Sequence, residues 1–137
     1  MTTATTILLL ALRFSPEVEV EDRTAHVLIA RIAVHALARN PDEARDLYRL
    51  AHSESRWTPG AVSSAGACGI WQQVPRWRKT TCRDLARKPV HAVLTAFAVT
   101  RRMRELCGDR WHTCYTHGPY SKAGRAARKA GFGGRRW

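Results

Sequence analysis

The chain has 137 residues, a mass of 15.4 kDa and a formal net charge of +12. That length suits one ordinary domain with a useful core, and 45% apolar with 25% charged residues excludes wholesale disorder. The longest apolar run, residues 7–12, is too short to cross a membrane, and a chain this basic is expected to meet nucleic acid, anionic lipid or envelope polymer.

No Lys or Arg occurs in residues 1–6 and no small-residue cleavage site follows before Pro16, so a signal peptide is not expected. Residues 1–14 read as a short helix or an apolar tether, and residues 15–22 as a connector. A helix is predicted over residues 24–39, with Ala25, Leu28, Ile32 and Ala36 on its apolar face. Asn40-Pro41-Asp42-Glu43 combines a cap, a proline at the first helical position and a capping-box acid. The helix it starts runs to about residue 55 and is ended by Thr58-Pro59-Gly60. Gly, Ser and Ala dominate residues 58–69, which predicts a loop or small hairpin, and a short apolar segment follows over 69–75. Residues 85–88 read as a helical fragment. A longer helix is expected over 89–106, stopped by Gly108. Residues 111–120 look aromatic and turn-rich. From Ser121 a basic helix leads into Gly131-Phe132-Gly133-Gly134.

Charge is unevenly spread. Residues 1–54 hold six Arg and eight acids, a net of −2, while residues 55–137 hold 17 Lys and Arg against Asp84, Glu105 and Asp109, a net of +14. The cysteines Cys68, Cys82, Cys107 and Cys114 all lie in the basic half. No C-x2-C spacing occurs, so a zinc reading rests only on His112 and His117 around Cys114. An even count suits one or two disulfides outside the cytosol, with the neighbour pairing Cys68–Cys82 and Cys107–Cys114 favoured; four buried thiols are the alternative.

Glu54 is the most informative residue. At ~100° per residue it falls between Leu47, Leu50 and Ala51 on the apolar face of its helix. Burial there and the negative helix end both favour a protonated carboxyl, the form a general acid needs for glycosidic cleavage. The bland alternative is a helix-end Glu paired with Arg56 at the surface.

The residues that follow sharpen the choice. Glu54-Ser55, then Ala61-Val62-Ser63, then Gly66-Ala67-Cys68-Gly69-Ile70-Trp71-Gln72 and Pro75 resemble the signature of the soluble lytic transglycosylase family of the lysozyme-like superfamily. Cys114-Tyr115-Thr116-His117-Gly118-Pro119 resembles that family's second motif, A-Y-N-x-G-P. The resemblance covers roughly residues 41–120. It implies a mainly α (α+β lysozyme-like) single compact domain with a small loop or hairpin region after the catalytic helix. Residues 1–40 are then a segment of unknown role and residues 121–137 a basic tail.

Residue by residue, the resemblance makes Glu54 the catalytic acid and then base. It places Ser63 on the Glu54 side chain or the substrate, Gln72 on a glycan N-acetyl group, and Tyr115 across the cleft from Glu54. Ser55, Trp71 and Val74 join them as substrate contacts. Trp71 stands where the family commonly has Met, Val74 where many relatives have a larger residue, and Thr116 where Asn is usual. Trp57, Trp77, Trp111 and Trp137 are further candidates for stacking on sugar or for the core.

Hydrolysing glycosidases normally need two carboxylates, about 5–5.5 Å or ~6.5–9.5 Å apart. No acid follows Glu54 until Asp84. One carboxylate suits a substrate-assisted cleavage of the MurNAc–GlcNAc bond that ends in a 1,6-anhydro product. Goose-type lysozymes are similar but hydrolyse, using additional Asp residues soon after the Glu. The expected partner is the glycan strand of peptidoglycan, with no metal or organic cofactor and no specific nucleic acid. The expected state is a monomer. The tail is expected to meet anionic envelope polymers or the outer membrane. The expected place of action is the periplasm or cell wall, reached in a virion or through a separate pore, as in a bacteriophage lysis enzyme. The rival reading is a non-enzymatic basic binder of polyanions, to which Glu54 would be irrelevant.

Overall fold

A computed structural model describes residues 15–132, apart from the side chains of Trp77 and Phe132. The readings made for residues 1–14, for residues 133–137 and for the Trp77 ring lie outside the described residues. Within them the chain forms helices α1 (Arg23–Leu37), α2 (Pro41–Ser55), α3 (Cys82–Arg87), α4 (Pro89–Cys107), α5 (Trp111–His117) and α6 (Lys122–Phe132), and no strand. The mainly α expectation is met. By packing, the chain divides into two compact units that meet between Ala96 and Phe97, inside the unbroken α4.

In the first unit, side-chain caps fix the helix starts. Asp22 accepts the Ala25 N–H at 2.8 Å, and Thr81 Oγ1 accepts that of Asp84 at 3.1 Å. Before α2 the cap is reciprocal: Asn40 Oδ1 accepts the Glu43 N–H at 2.9 Å and Glu43 Oε1 accepts the Arg39 N–H at 3.0 Å. α1 packs against α2. Its buried residues are His26, Ala30, Ala33, Val34 and Leu37, whereas Leu28, expected inside, is 58% exposed. Both stripes keep the helical period. The stripe with Ala30 and Ala33 admits a neighbouring helix closely, so shape overrides side-chain size.

Residues 15–22 run as a strap rather than a bare connector. The Val20 N–H donates to Arg87 O at 2.7 Å, and Glu17, Glu21 and Glu19 pair with Lys88 (2.6 Å), Arg87 (3.2 Å) and Arg83 (3.9 Å). After α2 the chain makes the expected loop with a small hairpin. Antiparallel bridges join Val62 to Cys68 and Cys68 to Gln73, and a 3-10 turn follows at Pro75–Trp77. Gly69 turns the chain at φ 82°, and a Cβ there would stand 3.3 Å from that of Leu85. Cys68 is bonded to Cys82, with Cα atoms 5.6 Å apart.

The second unit is built differently. Residues 111–117, read as turn-rich, form α5, reached from α4 through the 3-10 turn Gly108–Arg110 and clamped by a Cys107–Cys114 disulfide. Val99, Met103, Cys107, Cys114 and Ala127 form a buried cluster against which Leu106, Trp111 and Tyr115 pack. α6 closes on it through glycine. A Cβ on Gly124 would overlap the Gly118 carbonyl, and one on Gly131 the Cys107 carbonyl. The basic helix expected from residue 121 on is thus present as α6, and it is packed structure.

Candidate active site

Leu47, Leu50 and Ala51 bury one face of α2, and Glu54 sits half-buried in its last turn. The helix ends on two non-glycine residues in the left-handed region, Arg56 at φ 51° and Trp57 at φ 59°. Such residues are strained and persist only when their surroundings fix them. The fixings are visible. The Arg56 N–H donates to His52 O at 3.0 Å and the Trp57 N–H to Ala51 O at 3.2 Å. The buried Trp57 ring lies 4.8 Å from Tyr48 and 5.7 Å from Trp71 between centres, with the Arg31 guanidinium 4.9 Å from its own.

Two motif residues expected to touch substrate instead build this corner. Ser55 Oγ donates to Ile70 O at 2.6 Å and accepts the Thr58 N–H at 3.0 Å, so it is a brace between the helix end and the motif loop. Trp71 is 0% exposed and donates from Nε1 to Leu47 O at 2.9 Å. A ring with no open face cannot stack on a sugar; it is core, and its amide-like N–H has found the carbonyl that burial requires. Together Ser55 and Trp71 hold the loop against the turn that carries Glu54.

The other predicted residues of this unit lie in the loop. Gln72, at φ 47°, donates from Nε2 to Ala61 O and Gly69 O, both at 3.0 Å. Both partners are carbonyls, so the amide nitrogen is committed to the loop and the amide oxygen is the end able to accept an N-acetyl N–H. Ser63 Oγ accepts the Ala67 N–H at 3.1 Å, closing the turn in which the Ser63 N–H donates to Ala67 O at 2.8 Å. Its hydroxyl proton remains to donate. Val74 is half-buried, in the extended conformation that precedes proline. Tyr115 belongs to the second unit, half-buried on α5 against the cluster around Cys114. Both disulfides consume the cysteines, so the zinc reading loses its thiolates.

Sequence reasoning gave no role to Gln73. It is buried next to the half-exposed Gln72 and donates to Ala92 O at 3.3 Å. The adjacent Gln72-Gln73 pair was the available signal. Two of the three later acids sit in ion pairs of their own: Asp84 faces Lys88 at 3.4 Å and Glu105 faces Arg102 at 3.1 Å.

The chain matches the family model of the transglycosylase SLT domain over residues 32–131. That match starts within α1 and ends within α6, beyond both limits of the 41–120 stretch read from motifs. No curated protein and no solved structure matches the chain. A domain model spanning most of the sequence, laid over a helix-end glutamate and a loop braced to it by Ser55 and Trp71, leaves one conclusion: the chain belongs to the transglycosylase SLT family, the lysozyme-like enzymes that degrade peptidoglycan.

Proposed function

We propose that the enzyme cleaves the β-1,4 bond between MurNAc and GlcNAc with Glu54 as its single catalytic carboxylate, leaving 1,6-anhydro-MurNAc ends. The observation that carries this reading is the half-buried Glu54 at the end of α2, with the Gln72 loop tied to the same turn through Ser55. That Asp84 and Glu105 are engaged in ion pairs of their own supports a one-carboxylate reaction. Glu54 gives its proton to the glycosidic oxygen as the C1–O4 bond breaks. The muramyl N-acetyl oxygen closes on C1 and takes up the developing positive charge. The Glu54 carboxylate then removes the proton of the C6 hydroxyl, whose oxygen bonds to C1 and displaces the acetyl oxygen. Atoms balance without water. Gln72, through its amide oxygen, and Ser63, through its hydroxyl proton, are the proposed holders of the sugar. The periplasm or cell wall is the proposed place of action, where the two disulfides persist.

Mass spectrometry of muropeptides released from purified peptidoglycan tests this. The unaltered enzyme is expected to release products one water lighter than hydrolysis gives. Glu54→Gln is expected to lose about 10²–10⁴-fold in rate with an unchanged thermal midpoint. Reducing ends, also lost in Glu54→Gln, would make the enzyme a hydrolase of the goose type. Release that survives Glu54→Gln would remove Glu54 from the reaction.

A further inference from the structure

α6 carries four cations, Lys122, Arg125, Arg128 and Lys129, and no acid. Lys122, Arg125 and Lys129 recur at i, i+3 and i+7, are exposed, and lie opposite the buried Gly124, Ala127 and Gly131. At 1.5 Å per residue the row is about 10 Å long. None of the four makes an ion pair among the described residues. Like charges three and four apart repel, so the row opposes its own helix until an anion lies on it.

Two further features adjoin the row. An open hollow of about 460 Å³ is lined by Glu105, Leu106, Arg125, Arg128 and Lys129. Its one acid, Glu105, is held by Arg102, so the hollow is cationic. Tyr120, immediately before α6, is 67% exposed and has the Arg128 guanidinium 5.3 Å from its ring centre. Arginine forks suit phosphate oxygens, and an open aromatic face suits the C–H face of a sugar. The other basic cluster, Arg83, Arg87 and Lys88, is met by glutamates of the strap. The cations of α6 differ from that cluster in having no acid to meet them.

We propose that α6 and Tyr120 form a docking surface for a phosphate-bearing envelope glycan, with phosphates on the Lys122–Arg125–Lys129 row and in the hollow and sugar on Tyr120. The choice of a glycan over a nucleic acid rests on the peptidoglycan reading above, since both carry phosphates and rings. A lipid surface is the poorer fit. The exposed α6 residues between the cations are Ala126 and Ala130, so the helix has no apolar stripe to insert, and the one large ring beside it, Tyr120, carries Arg128 over its face.

The probe is a sugar-substituted poly(glycerol phosphate), titrated against the full chain over a range of salt. The triple variant Lys122→Gln, Arg125→Gln, Lys129→Gln is expected to bind at least tenfold more weakly. Its plot of log affinity against log salt should be shallower by about two to three charges. Glutamine keeps helix propensity and the sites are exposed, and far-UV circular dichroism confirms the fold. Tyr120→Ala should weaken binding of the substituted polymer several-fold and leave the unsubstituted polymer unaffected. Unchanged binding in the triple variant overturns the surface. Tighter binding of random-sequence duplex DNA at equal phosphate, or of vesicles of anionic lipid, overturns the partner. Glu54→Gln should bind as the unaltered chain does, and the triple variant should still cut soluble uncharged glycan. A failure of docking and a failure of the proposed chemistry are thus read in different assays.

Discussion

Up to Ala96 the molecule is held largely by specific polar bonds. Three glutamates of the strap meet Arg83, Arg87 and Lys88, and the loop after α2 ties its amides to its own carbonyls and to α2. From Phe97 on, order comes from shape. Helices close over small residues at Gly124, Ala127 and Gly131, and the cations of α6 are left to solvent. An irregular loop that must hold a catalytic turn needs many specific bonds, whereas a helical corner needs only close fit and can leave charge free for something outside.

The sharpest way to break that contrast is Gly124→Ala. The added methyl would overlap the Gly118 carbonyl and crowd Pro119, both backbone, so nothing flexible can yield. A loss of about 3 kcal/mol or more is expected in urea melts. Gly60→Ala in the first unit meets open space and should change stability by about 1 kcal/mol or less. Equal losses from the two would show that close fit is not what distinguishes the second unit.

Next in size is the Cys68–Cys82 bridge, which closes residues separated by 14 positions. Replacing both cysteines by alanine should cost about 3 kcal/mol through the longer unfolded chain. Hydrogen exchange should then rise in the 56–80 loop before it rises in α5 and α6. Protection lost equally in α5 and α6 would mean that the two units do not stand by separate means.

These two tests touch features of unequal visibility in the sequence. The start of α2 was legible because a cap acts within four residues of itself, and Asn40 bonds where its position says; α3 was read only from residue 85, three residues past its start at the Thr81 cap. Glu54 was legible as a carboxylate on an apolar stripe, and the family from the run after it. The role of Trp71 was not, since an aromatic in a sugar-cleaving motif reads alike whether it faces glycan or the Leu47 carbonyl, and that carbonyl is 24 residues away. α5 spans seven residues, too few to show a period, and depends on the Cys107–Cys114 clamp. The packing roles of Gly124 and Gly131 were not legible, because the value of a missing Cβ appears only when the facing carbonyl is known.

A smaller effect separates the units by pH. His26 is buried, its Nδ1 lies 3.2 Å from Val20 O, and Nε2 has no protein partner. Burial pushes its pKa below the ordinary 6.5, with the Val20 contact opposing weakly. The folded form thus holds His26 neutral while the unfolded chain protonates near 6.5. Its contribution is full above that pH and is lost as pH falls below it, at no more than about 1.4 kcal/mol per pH unit. Urea midpoints between pH 7.5 and 5.5 should fall for the unaltered chain and fall less for His26→Leu. Parallel slopes would place the acid sensitivity elsewhere.

The smallest expected effect is the most direct test of the charge contrast, because it turns on sign. Arg87 is paired with Glu21 at 3.2 Å, with Glu21 largely exposed and Arg87 partly so, and Arg87→Gln should destabilise by only about 0.2–1 kcal/mol. Arg125 has no acidic partner among the described residues and has Lys122, Arg128 and Lys129 within one turn of the helix. Removing its charge relieves three like-charge neighbours at three or four residues' spacing, so at ~0.2 kcal/mol per exposed pair Arg125→Gln should stabilise by about 0.6 kcal/mol in sum. Added salt should shrink both changes, since both arise at the surface. The two midpoints must therefore move in opposite directions at low salt and converge at high salt. If Arg125→Gln were instead destabilising, the α6 cation would have an internal partner, and the case for an external anion on that face would fall with it.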